Sequence, residues 1–296
     1  MAAPSITSTA PAKLNLTLDV KGKRPDGFHE LHSLVTGVDL ADRITCRLLA
    51  QPGVEVSCSD ESLASADNLG VRAAQALAKF LGIHPAISIH IEKRIPIAAG
   101  LGGGSSDAAV VLRICNEFWH AGLSDNQLAS IGAEIGSDVP LFFSLPHAVI
   151  AGRGERVDRV AMRWSGWALL AQVNIPVSTA AVFRAWRTSD APHRPTGRIE
   201  LILAASHAKE ITPHVSNDLT QAVFRVCPKI CEVNNALEAA NLGWFNLSGA
   251  GSTFFQLFDD KNTAVDIGNR MMNHVAGLRA AVAAVPQTTD PLINEE

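Results

Sequence analysis

Two stretches of the chain alternate strictly between apolar and polar residues, which is the pattern of a strand with one buried face. In residues 86–92, Ile87, Ile89 and Ile91 alternate with polar residues. Residues 13–20 place four apolar side chains on one face and four polar side chains on the other. The apolar face contains Leu14, Leu16, Leu18 and Val20, and the polar face contains Lys13, Asn15, Thr17 and Asp19. Both stretches are therefore predicted to be strands.

Capping residues predict where several helices begin and end. Asp67 is the predicted N-cap of a helix that ends at Gly82. Ser124 and Gln127 have the spacing of a capping box, for a helix that ends at Gly136. The other predicted elements are strands near 34–40, 43–49, 167–173 and 280–285, a strand–turn–strand over 243–258, a helix with Pro140 at its first position, and helices near 108–119, 179–187, 199–206, 218–226, 232–240 and 263–274.

A glycine-rich segment separates the predicted strand 86–92 from the helix that follows. Residues 96–107 have the sequence Pro-Ile-Ala-Ala-Gly-Leu-Gly-Gly-Gly-Ser-Ser-Asp. Glycines let the backbone approach a ligand and adopt positive φ, and a helix start offers free N–H groups with a partial positive charge. The order strand, glycine loop and helix therefore predicts an anion site, most often one for phosphate.

Two common phosphate loops do not fit this segment. A Walker loop requires a lysine after its last glycine, and none follows here. The dinucleotide fingerprint is a poor match, because a proline interrupts the end of the strand and no acidic residue closes a following strand at the expected distance. A tight turn or a surface loop that binds nothing is the alternative interpretation.

Composition limits the class of protein and its partners. The 296 residues suit two domains, and 47% hydrophobic with 18% charged residues is typical of a folded chain. The net charge of −4 gives no basic footprint for nucleic acid. Cys227 and Cys231 lack a second pair, and His29 and His32 lack the His-x-x-x-His spacing, so no protein metal site is predicted.

The sequence also indicates the cellular compartment in which the protein is expected. The first ten residues are mostly Ala, Ser and Thr without Arg or Lys, and they match neither a secretory signal nor a transit peptide. No segment has the roughly 18 uninterrupted apolar residues of a membrane span. We therefore expect a cytoplasmic protein that has no membrane partner and whose five cysteines stay reduced.

The glycine loop carries a resemblance to a known family. Residues 96–106 resemble the ATP-binding motif of the GHMP kinases, the family of galactokinase, homoserine kinase and mevalonate kinase. Four other segments are similar to motifs of this family and occur in the same order. They are Pro-Ala-Lys-Leu-Asn-Leu at 11–16, Arg-Pro-Asp-Gly-Phe-His-Glu-Leu-His at 24–32, Ile-Gly-Ser-Asp-Val-Pro at 135–140 and Leu-Ser-Gly-Ala-Gly-Ser-Thr at 247–253.

The resemblance implies a fold and a domain plan. It implies a two-domain α+β protein with a ribosomal-protein-S5-like N-terminal domain and a ferredoxin-like C-terminal domain. Residues 152–167, rich in Arg and Gly, mark the predicted border. We expect an ATP-binding domain over 1–160 and a substrate domain over 161–280. Whether a strand near 280–296 returns to the first domain is left open.

The resemblance also implies the cofactors and the residues that act on them. ATP, bound with Mg²⁺, is the expected phosphoryl donor. The residues expected to bind it are Pro96, Ile97, Ala98, Ala99, Gly100, Leu101, Gly102, Gly103, Gly104, Ser105 and Ser106. The family's catalytic lysine and aspartate fall on Lys13 and Asp138. Asp138 is expected to orient the attacking hydroxyl and accept its proton late, while Lys13 keeps Asp138 ionised. Either Ser105 or Ser106 is the hydroxyl near Mg²⁺.

The length of the glycine run is similar to one branch of the family, whose substrate contains a cytidine diphosphate group and whose product leads to isoprenoids by the non-mevalonate route. This implies phosphorylation of a 2-hydroxyl on such a substrate. Asn15, Phe28, His29 and Thr179 match its substrate-binding positions. The family commonly has tyrosine where this chain, which contains no tyrosine, has Phe28. The phenyl face is kept, and any hydrogen bond from a phenol is lost.

Two other functions remain as alternatives. One is another small-alcohol kinase of the same family, such as homoserine kinase. The substrate of such a kinase has no base that could stack on the Gly-Phe-His segment. A non-catalytic nucleotide-binding regulator with the same fold does not need both Lys13 and Asp138.

Overall fold

The computed structural model describes residues 4–191 and 195–287. The described strands are β1 Ser5–Asn15, β2 Thr17–Lys23, β3 His29–Leu48, β4 Gly53–Cys58, β5 Ala86–Glu92, β6 His147–Gly152, β7 Arg156–Arg159, β8 Gly166–Val173, β9 Ser216–Asn217, β10 Asn246–Leu247, β11 Phe254–Phe258 and β12 Leu278–Val285. The described α-helices are α1 Leu69–Leu81, α2 Gly103–Phe118, α3 Asp125–Ile135, α4 Thr179–Ala185, α5 Arg198–Ala204, α6 Ala208–Ile211, α7 Thr220–Val226, α8 Pro228–Ala239 and α9 Lys261–His274.

The first of two units contains the described residues of 4–12, 40–97 and 102–145. In it, β5 pairs in parallel with β4 and antiparallel with the second half of β3. The buried isoleucines of β5 join apolar residues of α1, α2 and α3 in one core. The alternation in 86–92 therefore buries the face that the sequence predicted.

Local sequence determines the ends of the helices in this unit. The N-cap of α1 is Asn68, whose Oδ1 accepts the N–H of Gly70 at 2.8 Å, so the prediction of Asp67 is wrong by one position. Gly82 ends α1 in the left-handed region at φ 68°, as predicted. The predicted capping box of Ser124 and Gln127 is confirmed at the start of α3. Pro140 begins a short 3₁₀ helix, also as predicted.

The second unit contains the described residues of 13–39, 98–101 and 146–287. One of its sheets has the order β10-β11-β8-β12, with every pairing antiparallel. This is the strand order of a ferredoxin-like domain, in which the first strand lies between the third and the fourth. The helix α9 packs on the β8 and β12 strands of this sheet.

The other strands of the second unit come from β2, β3, β6, β7 and β9. The first half of β3 pairs with both β2 and β6, and β6 also pairs with β7. β9 is a two-residue strand that pairs in parallel with β2. The α+β class predicted from the sequence is confirmed.

Three element predictions need correction or comment. The separate strands expected at 34–40 and 43–49 are one continuous strand, β3. The predicted strand 13–20 is divided at Leu16, between β1 and β2, and its polar face is also buried at Lys13, Asn15 and Thr17. β12 pairs with β8 along its length, and the part of the predicted returning segment beyond 287 lies outside the described residues.

The domain border near 160 stays a prediction. Among the described helices, none has both the length and the apolar character that a bilayer crossing requires.

Candidate active site

Lys13 and Asn15 form a buried polar pair at the end of β1. Their side chains are only 5% and 3% exposed. Lys13 Nζ donates to Asn15 Oδ1 at 2.6 Å, and Asn15 Nδ2 donates to Ser33 Oγ at 2.8 Å. The two side chains share one face, as the alternation predicted. Buried lysines are rare unless they are paired, so this ammonium group is not a solvated edge charge.

The middle of the glycine loop packs on the glycine-rich segment 247–253, within the second unit. Gly100 has φ 78°, and a Cβ there would overlap the carbonyl oxygen of Ser248. Ser248 Oγ donates to the Gly100 carbonyl oxygen at 3.1 Å, and the Thr253 N–H donates to the Ala99 carbonyl oxygen at 3.2 Å. Two of the predicted family motifs are therefore in direct contact.

Lys13 also contacts both of these glycine-rich segments. The Lys13 N–H donates to the Leu101 carbonyl oxygen at 3.0 Å. A Cβ at Gly249 would lie 3.3 Å from both Lys13 Nζ and Asn15 Oδ1. Residues from three motifs that are far apart in the sequence thus meet at Lys13, two of them beside its ammonium group and the third at its backbone N–H.

The last part of the loop is the start of α2, in the first unit. Gly102 adopts φ 72° and is the N-cap, and the first backbone bond of the helix joins the Ser106 N–H to the Gly102 carbonyl oxygen at 3.0 Å. The N–H groups before it have no acceptor within the helix. A Cβ at Gly103 would lie 3.1 Å from Ile95 Cγ2, so the glycine permits close packing there. The arrangement is suited to an anion.

The two serines at this helix start face different surroundings. Ser105 is half-buried, and its Oγ lies 3.9 Å from the position of a Cβ on Gly136, where the segment leading to Asp138 begins. Ser106 is fully buried, and its Oγ has no hydrogen-bond partner in the described part of the chain. Ser106 also lines a cavity of about 420 Å³ between β1 and α2. The Ser105 hydroxyl therefore faces the segment that leads to Asp138. A hydroxyl is a hard oxygen donor of the type that Mg²⁺ prefers.

Asp138 lies in the turn between α3 and the following 3₁₀ helix. The turn is fixed by Val139, whose N–H donates to the Gly136 carbonyl oxygen at 3.1 Å and whose side chain packs tightly against Gly132. Val139 is fully buried, whereas Asp138 is only half-buried. The turn thus holds a carboxylate within reach of solvent or a ligand. Asp138 belongs to the first unit and Lys13 to the second, so their pairing stays a prediction.

An aromatic cluster surrounds His29 in the second unit. The His29 ring stacks on Phe183 with the centroids 5.2 Å apart, and it meets Trp186 edge-on at 5.5 Å. Burial, with a smaller contribution from Lys23, lowers the pKa of His29, so its imidazole is neutral at pH 7 and offers one donor and one acceptor. Phe28 is 48% exposed, with the Arg153 guanidinium 5.2 Å from its ring centroid.

Sequence reasoning missed Phe183 and Trp186, which pack on His29, and also Arg153, which lies over the Phe28 ring. The two aromatic residues are spaced i, i+3 where α4 ends, a pattern that also fits ordinary core packing. The predicted Thr179 is the exposed first residue of the same helix. Its contact with substrate stays a prediction.

The fold and these motifs define a class. A profile described as GHMP kinases N terminal domain matches residues 68–144. A crystal structure of homoserine kinase from Cytophaga hutchinsonii superposes with a TM-score of 0.73, covering 96% of this chain and 95% of that one, at 17% identity. This likeness shows the fold alone, and that fold is the one of the GHMP kinases.

Closer relatives narrow the class. A 4-diphosphocytidyl-2-C-methyl-D-erythritol kinase from Geobacter sp. (strain M21) is 42% identical over 86% of this chain and 90% of its own length. A protein of the same name from Shouchella clausii is 37% identical over 93% and 92%. A crystal structure of 4-(cytidine 5'-diphospho)-2C-methyl-D-erythritol kinase has a TM-score of 0.81 and 32% identity, covering 96% of this chain and all of that one. The chain belongs to the 4-diphosphocytidyl-2-C-methyl-D-erythritol kinase family. Membership in a kinase family implies the use of ATP.

Proposed function

We propose that this protein transfers the γ-phosphoryl group of ATP to the 2-hydroxyl of 4-diphosphocytidyl-2-C-methyl-D-erythritol. The observation that carries the proposal is the aromatic cluster of His29, Phe183 and Trp186. His29 directly follows the exposed Phe28 in the sequence. The cluster belongs to the same unit as the buried Lys13. A kinase for a small alcohol without a base has no use for such a cluster. The names and identities of the relatives support the same substrate.

The donor phosphates are assigned to the glycine loop. The free N–H groups at the start of α2 and the positive end of its dipole bind phosphate oxygens. Bound Mg²⁺ would neutralise charge on the β- and γ-phosphoryl oxygens. Of the two candidate serines we assign its hydroxyl ligand to Ser105, because Ser105 faces the Asp138 segment and Ser106 faces the cavity beside β1.

Asp138 and Lys13 are assigned to the transfer itself. The Asp138 carboxylate accepts a hydrogen bond from the substrate 2-hydroxyl and orients its oxygen towards the γ-phosphorus. As the new P–O bond forms, the bond from the γ-phosphorus to the β,γ-bridging oxygen breaks, and ADP leaves. The transition state is loose, so the hydroxyl proton passes to Asp138 late and a weak base suffices. The Lys13 ammonium, held by Asn15, stabilises the charge that develops on the transferred group.

The substrate base is assigned to Phe28 and His29. Cytosine stacks on the exposed face of Phe28, and neutral His29 offers one donor and one acceptor to its edge. Asn15 and Thr179 are assigned to the remainder of the substrate.

The five cysteines are all free thiols, which supports a location in the reducing cytoplasm.

A coupled assay for ADP release tests the proposal. The substrates compared are 4-diphosphocytidyl-2-C-methyl-D-erythritol, homoserine and mevalonate, each with ATP and Mg²⁺. We expect turnover with the cytidine substrate and none above background with the others. Preference for homoserine would support the small-alcohol alternative. Nucleotide binding without turnover of any of the three would support a non-catalytic regulator.

A further inference from the structure

Three charged side chains form a buried network in the first unit. Lys93 Nζ donates to Asp42 Oδ2 at 2.5 Å and to Asp107 Oδ2 at 2.9 Å. The side chains of Asp42, Lys93 and Asp107 are 0%, 9% and 5% exposed. None of the three belongs to the predicted ATP-binding or catalytic residues.

The network holds both ends of the phosphate loop. On the incoming side, Asp42 Oδ1 accepts the N–H groups of Arg94 and Ile95, directly before the loop begins at Pro96. On the outgoing side, Asp107 lies in the second turn of α2. Lys93 joins the two sides, and its Nζ lies 3.3 Å from the position of a Cβ on Gly103, the first residue of the helix.

We propose that the Asp42–Lys93–Asp107 network is a positioning device for the phosphate loop, which sets the separation of the two loop ends and thereby the affinity for the donor nucleotide. This rests on the proposed function, since it takes the loop to be the nucleotide site. A loop whose ends are held in the bound geometry loses less conformational entropy when the phosphates bind. Lys93 and Asp107 are thus positioning residues, because they act through the backbone N–H groups of the loop.

The cost of the arrangement supports a role beyond stability. Burial raises the pKa of Asp107 to about 7, although Lys93 opposes this rise. Asp107 Oδ1 is buried and has no hydrogen-bond partner among the described residues. Buried ion pairs are often no more stabilising than apolar side chains of the same volume. A network that served packing alone would be replaced by aliphatic residues without loss, whereas one that aligns two backbone segments requires directed bonds.

Substitutions that separate positioning from folding test this. Lys93→Met with Asp107→Leu removes two of the three charges, and Asp42 keeps its two backbone donors. Asp107→Ala removes one partner and leaves the Lys93–Asp42 pair, and Asp107→Asn keeps an acceptor for Lys93. Arg113→Met with Asp125→Leu is the matched control, because this ion pair also joins α2 to a neighbouring residue but lies at the surface.

The measurements are the Kd of a non-hydrolysable ATP analogue with Mg²⁺, the KM for each substrate, and the melting temperature. We expect the double variant and Asp107→Ala to raise the Kd of the analogue at least 10-fold and 3-fold respectively, with the KM of the cytidine substrate changed less than 2-fold. Asp107→Asn and the surface control should stay within 2-fold of the parent Kd.

Two results would overturn the positioning role. One is a parent-like Kd in folded Asp107→Ala or in the folded double variant. The other is a parallel loss of both substrates and of melting temperature, which is the behaviour of a merely structural network. If the double variant does not fold, the comparison of Asp107→Ala with Asp107→Asn decides. A parent protein that binds the analogue without phosphorylating the cytidine substrate would contradict the proposed function and leave this inference standing.

Discussion

The carbonyl oxygen of Ser248 occupies the space that a Cβ at Gly100 would need, while Ser248 Oγ donates to the Gly100 carbonyl oxygen. We therefore expect Gly100→Ala to displace either the glycine loop or the segment 247–253. The expected result is a fall in kcat/KM for ATP of about 100-fold, or nearly 3 kcal/mol. Steady-state kinetics at varied ATP measures this.

Gly122 provides the control for backbone strain. Its φ of 64° is as unfavourable for alanine as the 78° of Gly100, but a Cβ there meets nothing within 4 Å. Gly122→Ala should lower stability by about 1 kcal/mol and leave kcat/KM unchanged. Equal kinetic effects of the two substitutions would show that positive φ, and not the Ser248 contact, explains the glycine.

Asp138→Asn should lower kcat about 100-fold or more, because amide nitrogen and oxygen cannot accept the hydroxyl proton. The Kd of the ATP analogue should stay within 2-fold of the parent. Lys13→Ala should have a similar effect on kcat, and the double variant should be far from additive if the two act as a unit. Asp125→Asn, at a surface aspartate of the same unit, is the matched control. Near-normal turnover of folded Asp138→Asn would refute the role assigned to this residue.

Phe28→Ala should raise the KM of the cytidine substrate about 5- to 100-fold, since stacking on a base contributes roughly 1–3 kcal/mol. The KM for ATP should change little. Phe28→Tyr should bind at least as well as the parent, and Phe28→Leu should resemble Phe28→Ala. Phe80→Ala removes another exposed ring, on α1, and should leave both constants unchanged. If all three Phe28 variants lose melting temperature and both substrates suffer together, Phe28 anchors its loop and does not stack.

Phe183→Ala should also raise the KM of the cytidine substrate, because it removes the ring on which His29 stacks. The effect should be smaller in Phe183→Leu, which keeps bulk beside His29, and kcat should stay within 2-fold of the parent in both. Steady-state kinetics at varied cytidine substrate tests this. An unchanged KM in folded Phe183→Ala would remove the aromatic cluster as support for this substrate.

Stability should depend on pH through His147. Its Nε2–H donates to the Pro286 carbonyl oxygen at 3.0 Å, so Nδ1 accepts from the Thr36 hydroxyl at 2.9 Å, and burial lowers its pKa from 6.5 to about 4. Between these values the unfolded chain binds more protons than the folded one, so stability rises with pH. The contribution is complete above about pH 6.5 and is lost as the pH falls towards 4, on the order of 3 kcal/mol in total. Urea unfolding of the parent and of His147→Gln between pH 4.5 and 7.5 measures it. Equal slopes in the two proteins would exclude His147 as the cause.

Much of the fold was predictable because its determinants are local. Gly82 and the Ser124–Gln127 box act within one helical turn, and the isoleucines of β5 repeat with the period of the strand. The stacking of His29 on Phe183 joins residues that are far apart in the sequence, as does the bond from Lys93 to Asp42. No local pattern predicts such contacts. The loop motif indicated where phosphate binds, but not that Ser105 and Ser106 face opposite surroundings.

The path of the chain has a consequence for dividing this protein. β1 and β3 each run without interruption from one unit into the other, and the glycine loop contributes to both. Neither unit is therefore encoded by one continuous stretch of gene. A cut at any point between residues 13 and 144 leaves parts of both units on each side of it, so neither unit can be exchanged between proteins as one continuous module.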